Sequence, residues 1–242
     1  MPVLNNLNGL KKTIQSIEFQ SFKSVEVWIV DGLSNTDTQE YLKTLSFPFQ
    51  YLSEKDIGIY DAMNKGISLS TGKWLYFLGS GDVLEDKDVL EKVFSKPYSD
   101  DISLISGKII YEGETIPFIY NKNKKVKNPS WNFSMWIRNG LHHQGTFYKK
   151  DLFKEQKYSL KYPIFSDYWF NILLFKKNSK CMLSDVLIAK CNSDGVSKIG
   201  DWISYKEEIR LKVALSSKIL VPFFYMVILP KYFLRQIINS YS

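Results

Sequence analysis

Cysteine and histidine are both scarce in this chain of 242 residues, which contains two of each. The two cysteines, Cys181 and Cys191, do not form a Cys-x-x-Cys pair. A disulfide framework or a structural zinc site would require more of these residues at short, regular spacings. The sequence therefore argues against both kinds of scaffold, and we expect a protein of a reducing compartment.

Arginine is rare as well, although the net charge is +7 and the chain has 32 basic residues. Only Arg138, Arg210 and Arg235 are arginines. Arginine is the preferred side chain for reading guanine through paired hydrogen bonds, so its scarcity argues against sequence-specific binding of DNA or RNA. We expect no nucleic-acid partner. The positive charge is better suited to phosphate-bearing substrates or to an anionic membrane surface.

Long hydrophobic runs are also missing. Residues 1–20 lack the apolar core of a signal peptide. The longest apolar stretch, residues 219–229, is shorter than the roughly 20 residues needed to cross a bilayer. Its aromatic residues and the trailing Lys231 and Arg235 are typical of a segment that lies in a membrane interface, and a helix packed on the domain is the alternative. We expect a cytoplasmic protein with a domain at 1–215 and a tail at 216–242, in which the tail either packs or contacts the membrane peripherally.

The first half of the chain alternates short apolar runs with amphipathic segments. Strands separated by helices of about ten residues indicate a parallel sheet with right-handed crossovers. The second half is less regular and predicts a hairpin, three helices and two further strands, without an internal repeat or a linker. We therefore predict a single α/β domain with a parallel βαβ first half and a mixed-sheet second half. The predicted strands are 2–4, 25–30, 49–52, 74–78, 104–110, 115–120, 145–148 and 181–190, and the predicted helices are 9–19, 36–45, 59–69, 131–138, 166–175 and 203–215.

One segment combines an apolar strand with a carboxylate at its end. Residues 74–78 are wholly apolar and are followed by Gly79, Ser80, Gly81 and Asp82. Such a run predicts a strand buried on both faces of a parallel sheet. Open α/β sheets bind ligands just beyond the carboxyl ends of their strands, and an aspartate at that edge can hold a divalent cation against a phosphate. The alternative is a turn aspartate that caps the next helix.

Five motifs, in order along residues 3–210, resemble glycosyltransferase family 2. The longest is S-E-x-D-x-G-I-Y-D-A-M-N-K-G-I at residues 53–67. The others are the Asp-Gly-x-Ser turn at 31–34, His-Gln at 143–144, Ser-Asp at 166–167 and Asp-Gly-Val-Ser at 194–197. The resemblance implies a GT-A fold, in which the first half holds a nucleotide and the second half receives the acceptor.

The resemblance also implies the catalytic groups. Asp167 matches the family's general base, which deprotonates the acceptor hydroxyl. Asp82 matches the last acidic position of the metal motif and implies a bound Mg²⁺ or Mn²⁺. This chain departs from the family pattern because Gly79 and Gly81 stand where other members carry aspartate. Ser166 is expected to cap the helix that carries Asp167.

A further set of positions is implied to contact the nucleotide sugar. His143 would bind the diphosphate or help to hold the metal. Asp61 would also be explained as a helix-stabilising residue of a first turn. The loop at 194–197 would close over the donor, and the lysines at 122–127 either meet an acceptor diphosphate or are simply solvated. The full set of predicted donor contacts is Asp31, Asp56, Asp61, Asn64, Lys65 and His143.

The expected activity is inverting transfer from a nucleotide sugar, a UDP-sugar in particular, in the synthesis of a bacterial surface polysaccharide or lipopolysaccharide. The acceptor would be a saccharide or a lipid-linked saccharide. A nucleotidyltransferase would need a glycine- and arginine-rich loop after the first strand, which residues 5–9 do not supply. A transferase fold that binds without turnover is the non-enzymatic alternative. The first strand is shorter than in the family, so we expect reduced donor affinity.

Overall fold

The computed structural model describes residues 1–95, 97–113, 126–192 and 201–240, with side chains up to residue 237. Three sequence predictions lie outside these residues. They are the second hairpin strand at 115–120, the lysines at 122–125 and the loop at 194–197.

The first half of the chain forms a three-stranded parallel sheet, as predicted. Its strands have the order β1-β2-β3, and Val30 of β2 lies between Pro2 of β1 and Leu52 of β3. Each strand is followed by a helix, so the carboxyl ends of all three strands meet at one edge. The elements are β1 (Pro2–Val3), α1 (Leu7–Glu18), β2 (Val27–Asp31), α2 (Thr36–Lys43), β3 (Phe49–Ser53) and α3 (Ile59–Leu69).

Asparagine side chains fix where the first two helices begin. Asn6 accepts a hydrogen bond from the Gly9 N–H at 3.1 Å, and Asn35 accepts one from the Thr38 N–H at 3.2 Å. An N-cap asparagine satisfies a backbone donor that the helix itself leaves free. α1 therefore begins at Leu7, two residues before the predicted start at Gly9.

The second sheet has six strands and is mostly antiparallel. Among the strands that the structure describes, the order is β4-β8-β6-β9-β5, with β7 paired to β6, and only β6 and β9 run parallel. This mixed sheet confirms the expectation for the second half of the chain. Its strands are β4 (Trp74–Tyr76), β5 (Val83–Leu84), β6 (Ile102–Glu112), β7 (Val126–Lys127), β8 (Thr146–Lys149) and β9 (Lys180–Asn192).

The strand β4 differs from its prediction in length and in partner. It ends at Tyr76 and pairs antiparallel with β8, with Leu75 opposite Tyr148, at one edge of the second sheet. An apolar run indicates burial on both faces but does not identify the neighbouring strand, and this limit is the reason for the error.

The remaining helices flank the second sheet. The predicted helix at 131–138 is only a short 3-10 helix, Phe133–Trp136. Further 3-10 helices are His143–Gly145, Lys150–Phe153 and Lys218–Leu220. The α-helices are α4 (Val89–Phe94), α5 (Ser166–Lys176), α6 (Trp202–Leu215) and α7 (Val221–Ser240).

The C-terminal tail is a helix packed on α6 by one face. Phe224 and Ile228 of α7 are buried in a cluster with Ile209 of α6. The ring of Trp136 stacks on Phe224 with centroids 6.4 Å apart. Within the described part of the chain, no helix has the length and apolar character required to cross a bilayer.

Candidate active site

The loops that follow the first four strands meet at one edge of the molecule. The Asn5 N–H donates to Ser34 Oγ at 2.8 Å, which joins the loops after β1 and β2. Asn6 Nδ2 donates to the Ser80 carbonyl at 2.9 Å, which joins the loop after β1 to the one after β4. The resulting edge corresponds to the place where open α/β sheets bind ligands.

Asp82 lies at this edge with its carboxylate almost fully buried. Its Oδ1 accepts from the Asn192 N–H at 3.0 Å, and its Oδ2 accepts from Gln144 Nε2 at 3.3 Å. Burial raises the pKa of Asp82, and the opposing effects of Asn192, His143 and Gln144 do not cancel it. A nearby cation would stabilise the charged form of a buried carboxylate with a raised pKa.

Two glycines shape the loop that precedes Asp82. Gly81 has φ +108°, a conformation that favours glycine. A Cβ atom at position 79 would lie 2.7 Å from Asp82 Oδ2, closer than van der Waals contact allows. The departure from the family pattern at Gly79 thus has a local physical reason, because the Asp82 carboxylate occupies the space beside it.

Asp167 lies in the first turn of α5 and is also buried. Its Oδ1 accepts from the Tyr60 hydroxyl at 2.8 Å, and its Oδ2 is 3.2 Å from His143 Nδ1. Burial alone would raise the pKa of Asp167, but His143, Tyr60 and the Tyr168 N–H outweigh it and hold this pKa below its usual value. Asp167 is therefore ionised at neutral pH and able to accept a proton.

The helix α5 begins without the expected serine cap. Ser166 is its first residue, Phe165 occupies the N-cap position, and no side chain caps the helix. Ser166 Oγ is buried and has no hydrogen-bond partner. The expectation of an N-cap serine is wrong, but Asp167 does occupy the first turn, where the helix dipole favours its charge.

A single dipeptide connects the two carboxylates. His143 and Gln144 belong to the 3-10 helix that precedes β8, and they contact Asp167 and Asp82 respectively. The dipeptide thus joins an ionised carboxylate, Asp167, to a buried carboxylate, Asp82, that a cation would stabilise. The contact from Gln144 to Asp82 and the hydrogen bond from Tyr60 to Asp167 were not predicted. Both donor residues nevertheless belong to the family motifs described above.

Two predicted nucleotide contacts, Asp31 and Asp56, hold the loops of this edge together. Asp31 is fully buried and accepts from the Ser34 N–H at 3.1 Å and from the Ser53 hydroxyl at 2.6 Å. Asp56 accepts from the Gly58 N–H at 3.0 Å. Both are at the predicted edge, and direct contact with a nucleotide stays a prediction.

The other three predicted contacts, Asp61, Asn64 and Lys65, stabilise α3 and its surroundings. Asn64 exchanges two hydrogen bonds with the backbone of Tyr158, at 2.9 and 3.0 Å. Lys65 pairs with Glu54 at 2.9 Å and with Asp61 at 3.6 Å. These interactions explain the residues structurally, so a role in donor binding stays a prediction for each.

The side chains at this edge fit a metal that is shared with a substrate. In the residues described, no three His, Cys, Asp or Glu side chains lie close enough together to hold a metal ion. Asp82 is a buried carboxylate with unused lone pairs, and its pKa responds to His143. Mg²⁺ is commonly held by one or two carboxylates together with phosphate oxygens and waters, and one carboxylate satisfies that minimum.

A large cavity lies elsewhere, between the two sheets. Its volume is about 390 Å³, and it is lined mainly by apolar side chains such as Trp28, Met63 and Leu75. None of the predicted site residues lines it. The cavity is therefore distinct from the edge that carries the two carboxylates.

Comparison with known proteins identifies the family of this chain. The family model described as glycosyl transferase family 2 matches residues 1–182. A "PGL/p-HBAD biosynthesis glycosyltransferase" of Mycobacterium bovis is 30% identical over 186 residues, which cover 72% of this chain and 68% of the relative. An uncharacterized glycosyltransferase of Mycobacterium tuberculosis is 40% identical over 88 residues, 36% of this chain and 34% of that protein.

Solved structures show the same fold at low sequence identity. TarS of S. aureus in complex with UDP has a TM-score of 0.63 and 15% identity, over 88% of this chain and 63% of that chain. The mannosyltransferase PcManGT of Pyrobaculum calidifontis, in complex with GDP-Man and Mn²⁺, has a TM-score of 0.62 and 13% identity, over 96% of this chain and 68% of that chain. The fold is thus the single mixed α/β domain of GT-A proteins. By its family, and in line with the names of its relatives, this chain is a glycosyltransferase of family 2.

Proposed function

We propose that the chain transfers a sugar from a nucleotide sugar, a UDP-sugar in particular, to a saccharide or lipid-linked saccharide, with inversion at the anomeric carbon. The observation that carries this proposal is the pair of carboxylates joined by His143 and Gln144. One carboxylate is ionised and hydrogen-bonded as a base, and the other is buried where a cation would stabilise it.

Asp167 is the proton acceptor in this proposal. As the acceptor hydroxyl attacks the anomeric carbon, its proton passes to an Asp167 oxygen while the bond from that carbon to the diphosphate breaks. Tyr60 and His143 fix the orientation of the carboxylate and keep it ionised before the reaction. A single displacement needs one base and no covalent intermediate, and Asp167 alone would supply that base.

Asp82 is the protein ligand for a divalent cation, Mg²⁺ or Mn²⁺, in this proposal. When bound, such an ion neutralises the charge that develops on the leaving diphosphate. Asp82 would hold the ion from one side, and Gln144 and the Asn192 N–H keep the carboxylate oriented. The neighbour PcManGT was solved with GDP-Man and Mn²⁺, which supports a metal of this kind.

The donor and acceptor classes rest on relatives and neighbours. TarS has been solved with UDP and with UDP-GlcNAc, whereas PcManGT was solved with GDP-Man. The family resemblance favours uridine, so we propose UDP as the nucleotide and a surface glycan, such as a lipopolysaccharide or other bacterial polysaccharide, as the product. The mycobacterial relative named for PGL/p-HBAD biosynthesis supports a glycan-building role.

The test is turnover by an Asp167→Asn variant, measured as UDP release from a panel of UDP-sugars with a mixture of saccharide acceptors. We expect at least a hundredfold loss of turnover, since general base catalysis contributes about 10²–10⁴-fold. UDP binding should be unchanged. The matched control is Asp37→Asn, which alters an exposed first-turn aspartate of α2 and should leave turnover intact. Full turnover in Asp167→Asn would overturn the proposed base.

A second candidate is a family 2 fold that binds nucleotide sugars without turnover. It is favoured by the glycines at 79 and 81, and by the lack of a three-residue metal cluster in the residues described. Saturable UDP binding without UDP release from any tested UDP-sugar, by the unaltered protein, would favour this candidate over the transferase.

A further inference from the structure

The helix α7 has two apolar faces, and α6 covers only one of them. Phe224 and Ile228 face α6 and are buried. Phe223, Met226 and Phe233 point away from that contact, and the exposed fractions of Met226 and Phe233 are 66% and 58%. At 100° per residue, positions 223, 226 and 233 fall within an arc of about 80°, away from the buried pair.

This exposed surface extends beyond the helix itself. In the 3-10 helix before α7, Ile219 is 86% exposed and Leu220 is also exposed. Contiguous apolar surface of this extent usually marks an interaction site. We call these residues the outer face, which consists of Ile219, Leu220, Phe223, Met226, Phe233 and Leu234.

The exposed charges along this part of the chain have one sign. Residues 209–242 contain no aspartate or glutamate. In the described residues 202–237, every charged side chain classed as exposed is a cation, namely Lys206, Arg210 and Lys218. Glu207 and Glu208 are buried, and Glu208 is paired internally. Lys218 directly precedes Ile219, so an exposed positive charge lies at the start of the outer face.

We propose that the outer face of α7 lies in the interface of an anionic lipid bilayer. Its apolar side chains would enter the boundary between headgroups and acyl chains, and Lys218 would meet anionic headgroups. The helix is not apolar enough to span the bilayer, so it would lie in the plane of the surface. The proposal concerns α7 and does not depend on the proposed chemistry.

A second copy of the chain is a weaker explanation for the same surface. In a two-fold symmetric contact the same patch faces itself, so the cations of one copy would approach those of the other. Like charges placed together oppose association, whereas an anionic lipid surface attracts each of them. Charge complementarity therefore favours the membrane as the occupant.

The experiment is co-sedimentation of the full chain with phosphatidylcholine vesicles, with and without phosphatidylglycerol. The unaltered protein should bind the vesicles that contain phosphatidylglycerol, and should be released as the salt concentration rises. The double variant Met226→Ser/Phe233→Ser should bind at least about tenfold more weakly, because two apolar side chains would no longer enter the interface. The matched control is Phe19→Ser, because Phe19 is a 67% exposed aromatic residue at the end of α1.

A charge variant provides the second arm. Lys218→Glu should weaken the preference for phosphatidylglycerol while keeping its melting temperature, because the exposed Lys218 lies in the 3-10 helix before α7. The proposal fails if the unaltered protein ignores phosphatidylglycerol, or if Met226→Ser/Phe233→Ser binds vesicles as strongly as the unaltered chain does. It also fails if the chain forms a lipid-free dimer that the Met226→Ser/Phe233→Ser variant abolishes, because a second copy would then cover the outer face.

Discussion

Asp82 and Asp167 are both buried carboxylates, yet their surroundings move their pKa values in opposite directions. Asp167 accepts from Tyr60 and contacts His143, and these partners outweigh the effect of burial. Asp82 has a backbone donor and a longer contact to Gln144, and burial prevails. This difference between the two residues supports the proposed roles, since a base must be ionised before the reaction, whereas a buried cation ligand is stabilised in its charged form by the bound ion.

The hydrogen bond from Tyr60 can be tested by Tyr60→Phe. Removing a donor to a buried charge should lower the free energy of unfolding by about 2 kcal/mol at neutral pH. A lowered carboxyl pKa stabilises the fold above the unfolded pKa, and this contribution is lost as pH falls through the folded pKa. The stability difference between the variant and the unaltered protein should therefore shrink toward acid pH, which urea unfolding at several pH values would measure.

The same variant should move the acid limb of the turnover profile to higher pH, because the pKa of Asp167 rises without its donor. The control is Tyr158→Phe, since the Tyr158 hydroxyl is buried without a hydrogen-bond partner and its ring packs 5.4 Å from that of Tyr60. Tyr158→Phe should change neither the pH dependence of stability nor the pH profile of turnover. An equal shift in the two variants would contradict the role given to Tyr60.

Gly79→Ala tests the position of the Asp82 carboxylate. A Cβ at 79 would lie 2.7 Å from Asp82 Oδ2, the mobile end of a side chain, so the carboxylate should move at small cost in stability. We expect Mn²⁺-dependent UDP affinity to fall by about tenfold, in the range seen when residues that orient a metal ligand are altered. Calorimetric titration would measure it, with Gly66→Ala as the control. Unchanged affinity would show that Asp82 is not the ligand.

At the residue scale the sequence predicted the carboxylates better than their partners. The strand-glycine-aspartate pattern and the family motifs led to Asp82 and Asp167 at one edge. The contacts from Tyr60 and Gln144 were not foreseen because they join residues 107 and 62 positions apart in the chain. No local periodicity encodes such pairs, since they arise only when distant parts of the chain fold together.

At the scale of elements, α3 offers a matched pair of glycines. Gly58 precedes the helix with φ +133°, whereas Gly66 lies within it and a Cβ there would meet only Val30 at 3.7 Å. Gly66→Ala should raise the free energy of unfolding by about 0.5–1 kcal/mol, because alanine favours helix and restricts the unfolded chain. Gly58→Ala should lower it by about 1–3 kcal/mol, although its surroundings are open, because the backbone there suits only glycine. Thermal unfolding of both variants would measure these changes. If the two substitutions changed the free energy of unfolding in the same direction, the backbone described for α3 would be contradicted.

Two adjacent phenylalanines of α7 differ in burial and so test how this helix packs on α6. Phe224 is 2% exposed and Phe223 is 39% exposed. Phe224→Ala should lower the free energy of unfolding by about 3–5 kcal/mol, as for other buried phenylalanines. Phe223→Ala should change it by less than about 0.5 kcal/mol. Denaturant unfolding would measure both, and similar losses in the two variants would mean that α7 does not pack as described.

Helices were predicted more reliably than strand partners. The bounds of α3 agree with the prediction at both ends, because its amphipathic pattern and the preceding glycine are local signals. The strand β4 was placed correctly in the sequence but assigned to a parallel sheet, whereas it pairs antiparallel with β8. Its partner, β8 (Thr146–Lys149), lies some seventy positions further along the chain. A buried apolar run does not indicate which strand will pair with it.

At the scale of the whole molecule, the two sheets meet where the site is formed. The first half of the chain supplies Tyr60, in the first turn of α3, and the edge around Asp31, and the 3-10 helix before β8 of the mixed sheet supplies His143 and Gln144. The site is therefore complete only when both halves are folded together. Binding of a nucleotide at this junction should raise the melting temperature of the entire domain, because a ligand that binds only the folded state stabilises it.

The most direct test of the proposed site is calorimetric titration of the protein with UDP, with and without Mn²⁺, in parallel with Asp82→Ala and with Asp86→Ala as the control. Asp86 forms an exposed ion pair with Lys92, so its loss should leave binding unchanged. We predict UDP binding that requires both Mn²⁺ and Asp82. Equal binding by Asp82→Ala, or no binding of UDP to the unaltered protein under either condition, would contradict the proposed nucleotide site.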